Sequence, residues 1–106
     1  MIYKDHILVV DDDLPLLEQA EQILSDNYLV SLANSGEQAI KYLKSGHEAD
    51  LILLDILMPN MDGFQTLKAI QKLEGWMPPA IFLTRVCGID SEIKGFDIGA
   101  ADYIPK

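Results

Sequence analysis

The stretch Leu51-Ile52-Leu53-Leu54-Asp55 runs an unbroken apolar segment directly into a carboxylate. Earlier in the chain, Ile7-Leu8-Val9-Val10 does the same and ends in Asp11-Asp12-Asp13. Apolar runs without alternation mark strands buried on both faces, the kind found in parallel sheets covered by helices. In such sheets the carboxyl ends of the strands form the ligand crevice. Two strands that both end in acids therefore gather negative charge in one crevice. Protons or a hard cation must offset it.

Working outward from these runs, the hydrophobic periodicity alternates between strand and helix along the whole chain. Strands are predicted over His6 to Asp11, Tyr28 to Ala33, Leu51 to Ile56, Ala80 to Thr84 and Asp102 to Ile104. Between the first two, Leu16, Leu17, Ala20, Ile23 and Leu24 fall at helical spacing, with Asp13 as N-cap and Pro15 in the first turn. Ser35-Gly36-Glu37-Gln38 and Asp62-Gly63-Phe64-Gln65 read as capping boxes opening a second and a third helix. These stop near Gly46 and by Gly75, and Pro78-Pro79 separates the third from the next strand. A fourth, shorter helix is predicted from about Ser91 to Ile98, with Gly99 as its C-cap. The alternation implies right-handed crossovers and a doubly wound α/β sheet. With five strands and four connecting helices, the face carrying fewer helices is expected to be only partly covered.

The bulk properties narrow the function classes. The 106 residues suffice for one domain, spanning 1–106, and not for two. A hydrophobic content of 49% excludes disorder. No apolar stretch approaches the ~20 residues of a membrane span, and the start Met1-Ile2-Tyr3-Lys4-Asp5-His6 is unlike a signal peptide. The single Cys87 allows no internal disulfide and fits a cytoplasmic location. With 17 acids against 8 bases the net charge is -9, which argues against direct binding to nucleic acid or an anionic membrane.

The three consecutive acids cannot all face the crevice. Asp11 and Asp12 sit where the strand ends, whereas Asp13 is better placed to cap the helix. Asp55 ends a neighbouring strand in the same direction. The plainer alternative makes all of them caps and solvated strand ends. Mg²⁺ suits the set, because it takes oxygen ligands and keeps waters for an incoming phosphate. Thr84 ends the apolar run Ala80-Ile81-Phe82-Leu83, and Lys106 follows the last strand. A carboxylate nucleophile, a metal, a hydroxyl and a lysine together suit phosphoryl transfer.

These motifs carry a resemblance. Ile7 to Asp13 (ILVVDDD), Leu51 to Gly63 (LILLDILMPNMDG), Ala80 to Thr84 (AIFLT) and Lys94 to Lys106 (KGFDIGAADYIPK) resemble the receiver domain of bacterial two-component response regulators. The likeness covers essentially the whole chain in order. It implies a flavodoxin-like five-stranded parallel sheet of order 2-1-3-4-5 and phosphorylation of Asp55 by a sensor histidine kinase. It also implies Mg²⁺ held by Asp12 directly, Asp11 through water, Asp55 and the backbone carbonyl of Leu57. Thr84 and Tyr103 are similar to the family's switch pair, and Lys106 to its phosphate-binding lysine. A downstream effector domain or protein would read the switched face.

Two departures stand out. Arg85 follows Thr84 where receivers usually carry a small residue, which makes it a possible modulator of phosphoryl lifetime or a surface side chain. Receivers also continue past the Lys106 position into a fifth helix. Losing three or four buried aliphatic side chains at ~1.5–3 kcal/mol each would rival the stability of a small domain. The expectation is a C-terminally truncated receiver, or one that covers its apolar face by self-association. Three other readings carry less weight. A haloacid-dehalogenase-type phosphatase wants a second acid two residues after its nucleophile, where Asp55-Ile56-Leu57 has none. A phosphate-independent interaction module would not need the acids, threonine and lysine together, and a flavin-binding domain would need a phosphate-cradling loop after the first strand. The reading is therefore a signalling module, not an enzyme acting on an external substrate.

Overall fold

A computed structural model describes residues 4–73, 77–84 and 99–105 of the chain. In order they form β1 (His6–Val10), α1 (Leu14–Leu24), β2 (Leu29–Ala33), α2 (Gly36–Lys44), β3 (Leu51–Leu54), α3 (Gly63–Gln71), β4 (Ala80–Thr84) and β5 (Asp102–Pro105). All pairings are parallel, in one sheet of order β2-β1-β3-β4-β5. This is the doubly wound α/β architecture that the alternation of periods predicts. The fourth predicted helix lies outside the described residues, although Gly99 at φ 97° has the left-handed backbone that a C-cap requires.

The helix starts follow from their caps. Asp13 accepts a long hydrogen bond from the Leu16 N–H at 3.5 Å, with Pro15 in the first turn of α1. Ser35 Oγ accepts from the Gln38 N–H at 3.1 Å and opens α2. The second half of the predicted box at α2 does not form: Gln38 Oε1 reaches one residue further back and accepts from the Asn34 N–H at 2.6 Å. At α3 both halves are present, Asp62 Oδ1 accepting from Gln65 N–H at 2.8 Å and Gln65 Oε1 from Asp62 N–H at 3.0 Å. Past the last residue of α2, Gly46 takes φ 88°, which ends the helix.

The central strands bury their two faces unequally. Leu8, Val10, Ile52, Leu54, Ala80 and Phe82 lie under α2 and α3 with Ala39, Phe64, Leu67 and Ile70, and each of these strand residues is at most 1% exposed. The alternate residues Ile7 and Val9 pack on Leu17 of α1, whereas Leu51, Leu53, Ile81 and Leu83 remain half-buried. The reading of β3 as buried on both faces is therefore corrected: one face is dry and the other only partly covered. Two strand ends are also shorter than predicted. β1 stops at Val10 and β3 at Leu54, so the acids begin where the ladder ends. β2 starts at Leu29 because the Tyr28 N–H is spent on the Leu24 carbonyl, closing α1. Among the described residues no helix is long and apolar enough to cross a membrane.

Candidate functional site

Asp11 and Asp55 each sit one residue past a strand yet remain tied to the sheet. The Asp11 N–H donates to Ala33 O at 3.1 Å, and the Asp55 N–H donates to Val10 O at 2.9 Å. Val10 and Leu54 are register partners, so the two acids leave adjacent strands at the same level. Asp11 is 1% and Asp55 4% exposed, whereas Asp12 faces solvent. One carboxylate oxygen from each of Asp11, Asp12 and Asp55 lies within 4.8 Å of the others. Sequence spacing predicted this convergence, and the sheet order produces it. Asp13 turns away to cap α1, as expected.

The donor set tests the metal reading. Three carboxylates at one crevice, two of them buried, provide only hard oxygen ligands, with no sulfur or imidazole among them. That chemistry matches Mg²⁺ or Ca²⁺ and not a soft transition metal. Neutralising like charges held this close by a divalent cation also removes the repulsion that burial strengthens. The residues present thus fit a hard divalent ion.

Around the acids, β3 passes into the loop Ile56 to Asp62. Leu57 lies in it with its side chain 61% exposed. Asn60 takes φ 67° and the Met61 N–H donates to Pro59 O at 2.7 Å, a tight γ-turn. The Gly63 N–H then donates to Ile56 O at 2.8 Å and returns the loop to the strand. Thr84 is the last residue of β4, two residues beyond Phe82, which is the register partner of Leu54. Tyr103 lies in β5 opposite Phe82, and Thr84 opposite Pro105. Arg85, Cys87 and Lys106 lie outside the described residues.

Sequence reasoning missed two features. Gly63 is packed against the backbone of Asp55, where an added Cβ would overlap the Asp55 carbonyl oxygen and stand 2.8 Å from Ile56 Cα. The available signal was a glycine at the first position of a helix. Glycine is about 1 kcal/mol worse than alanine within a helix, so its use there points to a close approach. The second feature is at the other end of the sheet. His6 Nε2 bonds Ser31 Oγ at 2.7 Å, Ser31 Oγ bonds Tyr42 Oη at 2.9 Å, and Tyr42 stacks on His47 at 4.5 Å. Neither histidine has a spacing that foretells a shared tyrosine.

Comparison with known proteins bears on the whole chain. Residues 7–106 match the family model of the response regulator receiver domain. The transcriptional regulatory protein DltR of Streptococcus agalactiae is 38% identical over 101 residues, covering 94% of this chain and 44% of that protein. CpxR of Escherichia coli, another transcriptional regulatory protein, is also 38% identical over 101 residues, covering 94% and 42%. The chain thus spans less than half the length of these curated relatives. Among solved structures, the BeF3-activated N-terminal receiver domain of Klebsiella pneumoniae RstA is similar at a TM-score of 0.86. Its identity is 27%, over 96% of this chain and 86% of that one. Fold, acidic crevice and family model agree, and the chain belongs to the response regulator receiver domain family.

Proposed function

We propose that residues 1–106 act as a single phosphoacceptor domain, with Asp55 the residue modified. The observation that carries this reading is the convergence of Asp11, Asp12 and Asp55 within 4.8 Å at the ends of adjacent strands. An Asp55 carboxylate oxygen attacks the phosphorus of a kinase phosphohistidine or of a small phosphodonor. The P–N bond, or the donor's P–O bond, breaks, and its electron pair leaves with the imidazole or the donor. Mg²⁺, when bound, supplies charge neutralisation for the phosphoryl oxygens. Asp11 and Asp12 hold the ion beside Asp55, together with the carbonyl of Leu57.

The phosphoryl group brings extra negative charge and strong acceptor oxygens to the crevice. Thr84, at the end of β4, donates its hydroxyl to one oxygen and Lys106 pairs with another. Tyr103 in β5 then reports the change to the outer face, so a local charge event biases a surface that a partner reads. Arg85, next to Thr84, modulates the lifetime of the acyl phosphate.

The partners proposed are a sensor histidine kinase upstream and an effector downstream, with the domain acting as a switch and not as an enzyme on external substrates. DltR and CpxR are transcriptional regulatory proteins more than twice as long as the matched region. We place any contact with DNA outside this acidic domain, whose net charge is -9.

The test is incubation of wild type and Asp55→Asn with acetyl phosphate, with and without Mg²⁺, followed by intact mass. Wild type should gain one phosphoryl group only with metal, and the variant none. Beryllofluoride, which activates the RstA receiver, should be captured under the same conditions. Metal-independent labelling, or labelling that survives in Asp55→Asn, would refute the assignment.

A further inference from the structure

The backbone of Asp55 is gripped on both sides of its Cα. On one side, the Asp55 N–H is held by Val10 O at 2.9 Å, which fixes it to β1. On the other, Gly63 lies against the Asp55 carbonyl and the Ile56 Cα, and its own N–H donates to Ile56 O at 2.8 Å. Gly63 is itself buried and begins α3, which the reciprocal bonds of Asp62 and Gln65 lock in place. The atoms facing Gly63 are backbone, not the ends of flexible side chains, so they cannot move aside alone. A methyl group at this position must push the Asp55 carbonyl and the Ile56 Cα, and the Asp55 Cα that bears the carboxylate is displaced with them.

A second glycine provides a contrast. Gly36, the first residue of α2, is as closely packed, but a Cβ there would meet the Thr66 Oγ1 and the Met61 side chain. Those are side-chain atoms, the Thr66 hydroxyl being held by Asp62 O at 2.8 Å, and none of them belongs to the backbone of Asp55. Both helices thus begin with a glycine enforced by contact, and only one contact is made on the backbone of the acid.

From this we infer that Gly63 is a positioning residue for the metal site: by admitting α3 against the Asp55 peptide, it sets the spacing of Asp55 and Leu57 relative to Asp11 and Asp12, and so selects a small, rigidly coordinated ion over a larger one. The inference rests on the metal site proposed above. Mg²⁺ demands near-ideal octahedral geometry at short distances, whereas Ca²⁺ accepts longer and more variable ones. Displacing the backbone that carries the Asp55 carboxylate therefore penalises Mg²⁺ more than Ca²⁺. Changes to groups that orient metal ligands typically cost 10–100-fold in affinity.

The experiment is calorimetric titration of the full chain with Mg²⁺ and, separately, with Ca²⁺, for wild type, Gly63→Ala and Gly36→Ala. Gly63→Ala should weaken Mg²⁺ binding by about tenfold or more and Ca²⁺ binding by a clearly smaller factor, lowering the Mg²⁺/Ca²⁺ preference. Gly36→Ala should lose thermal stability and keep the wild-type preference. Equal losses for both ions, or an unchanged preference in Gly63→Ala, overturn the inference while leaving the site itself standing. A wild type that binds neither ion removes the site and the inference together. Should Gly63→Ala not fold, Asp62→Ala replaces it, since uncapping α3 lets Gly63 withdraw without inserting an atom. The preference for Mg²⁺ over Ca²⁺ should then fall in the same direction, and no change there overturns the inference equally.

Discussion

The carboxylate of Asp11 accepts a hydrogen bond from the backbone N–H of Asp13 at 3.0 Å. One oxygen of the buried acid thus holds the turn that aims Asp13 at the start of α1, while the residue also faces Asp12 and Asp55. Asp11 combines a structural duty with a charge that adds to the repulsion among the three acids. Asp11→Asn keeps an acceptor oxygen for Asp13 and removes the charge. In metal-free solution it should be at least as stable as wild type to urea, because like-charge repulsion falls. Mg²⁺ should stabilise it far less than it stabilises wild type. Asp11→Ala should lose the metal response and a further ~0.5–1.5 kcal/mol from the missing hydrogen bond. If Asp11→Asn proves clearly less stable than wild type without metal, the division of roles is wrong.

Leu53 and Leu54 are neighbours in sequence with opposite surroundings, Leu54 being fully buried beneath α2 and α3 and Leu53 half-buried beside α1. Leu54→Ala should cost about 2–5 kcal/mol through lost burial and a cavity. Leu53→Ala should cost about 1 kcal/mol. Equal losses in a chemical denaturation series would contradict the unequal coverage of the two faces.

The two acidic N-caps differ in geometry, and stability should follow that difference. Asp62 makes a 2.8 Å bond that is answered by Gln65, whereas the Asp13 bond is 3.5 Å long. Asp62→Ala should cost about 1–2 kcal/mol and Asp13→Ala about 0.5 kcal/mol. Thermal melts of the two variants side by side would reveal a reversed order.

Tyr42 ties α2 to β1 and β2 through His6 and Ser31, at 3.3 and 2.9 Å. Removing only its hydroxyl leaves His6 and Ser31 bonded to each other at 2.7 Å. Tyr42→Phe should therefore cost only about 1 kcal/mol, and Tyr42→Ala about 3 kcal/mol as the ring packing and the stack on His47 go too. A Tyr42→Phe loss as large as that of Tyr42→Ala would mean that the hydroxyl, not the ring, holds α2.

Much of this arrangement was legible in the chain because it depends on local rules. The runs ending at Val10 and Leu54 announce strands, the acids after them announce a crevice, and Asp62 with Gln65 announces a helix start. What escaped was whatever depends on distant parts meeting. Gln38 has the spacing for a capping box but finds the Asn34 N–H instead. Leu53 reads like Leu54, and only the placement of α1 separates them. Gly63 looks like any glycine after an aspartate until the Asp55 carbonyl is seen against it. His6 and Tyr42 meet only because β1 and α2 pack together, which no periodicity reveals.

The register of β1 on β3 has a consequence for when the domain can work. Val10 faces Leu54, so Asp11 and Asp55 emerge side by side. A slip of one residue along that pair would turn every side chain of β3 to the opposite face and scatter the acids. The intervening chain, with a whole helix-strand-helix unit between the two strands, must already be seated before the crevice exists. A half-folded chain has the acids but not the crevice. In this domain, the meeting of the two acids is itself a proof that the centre of the sheet has been assembled correctly.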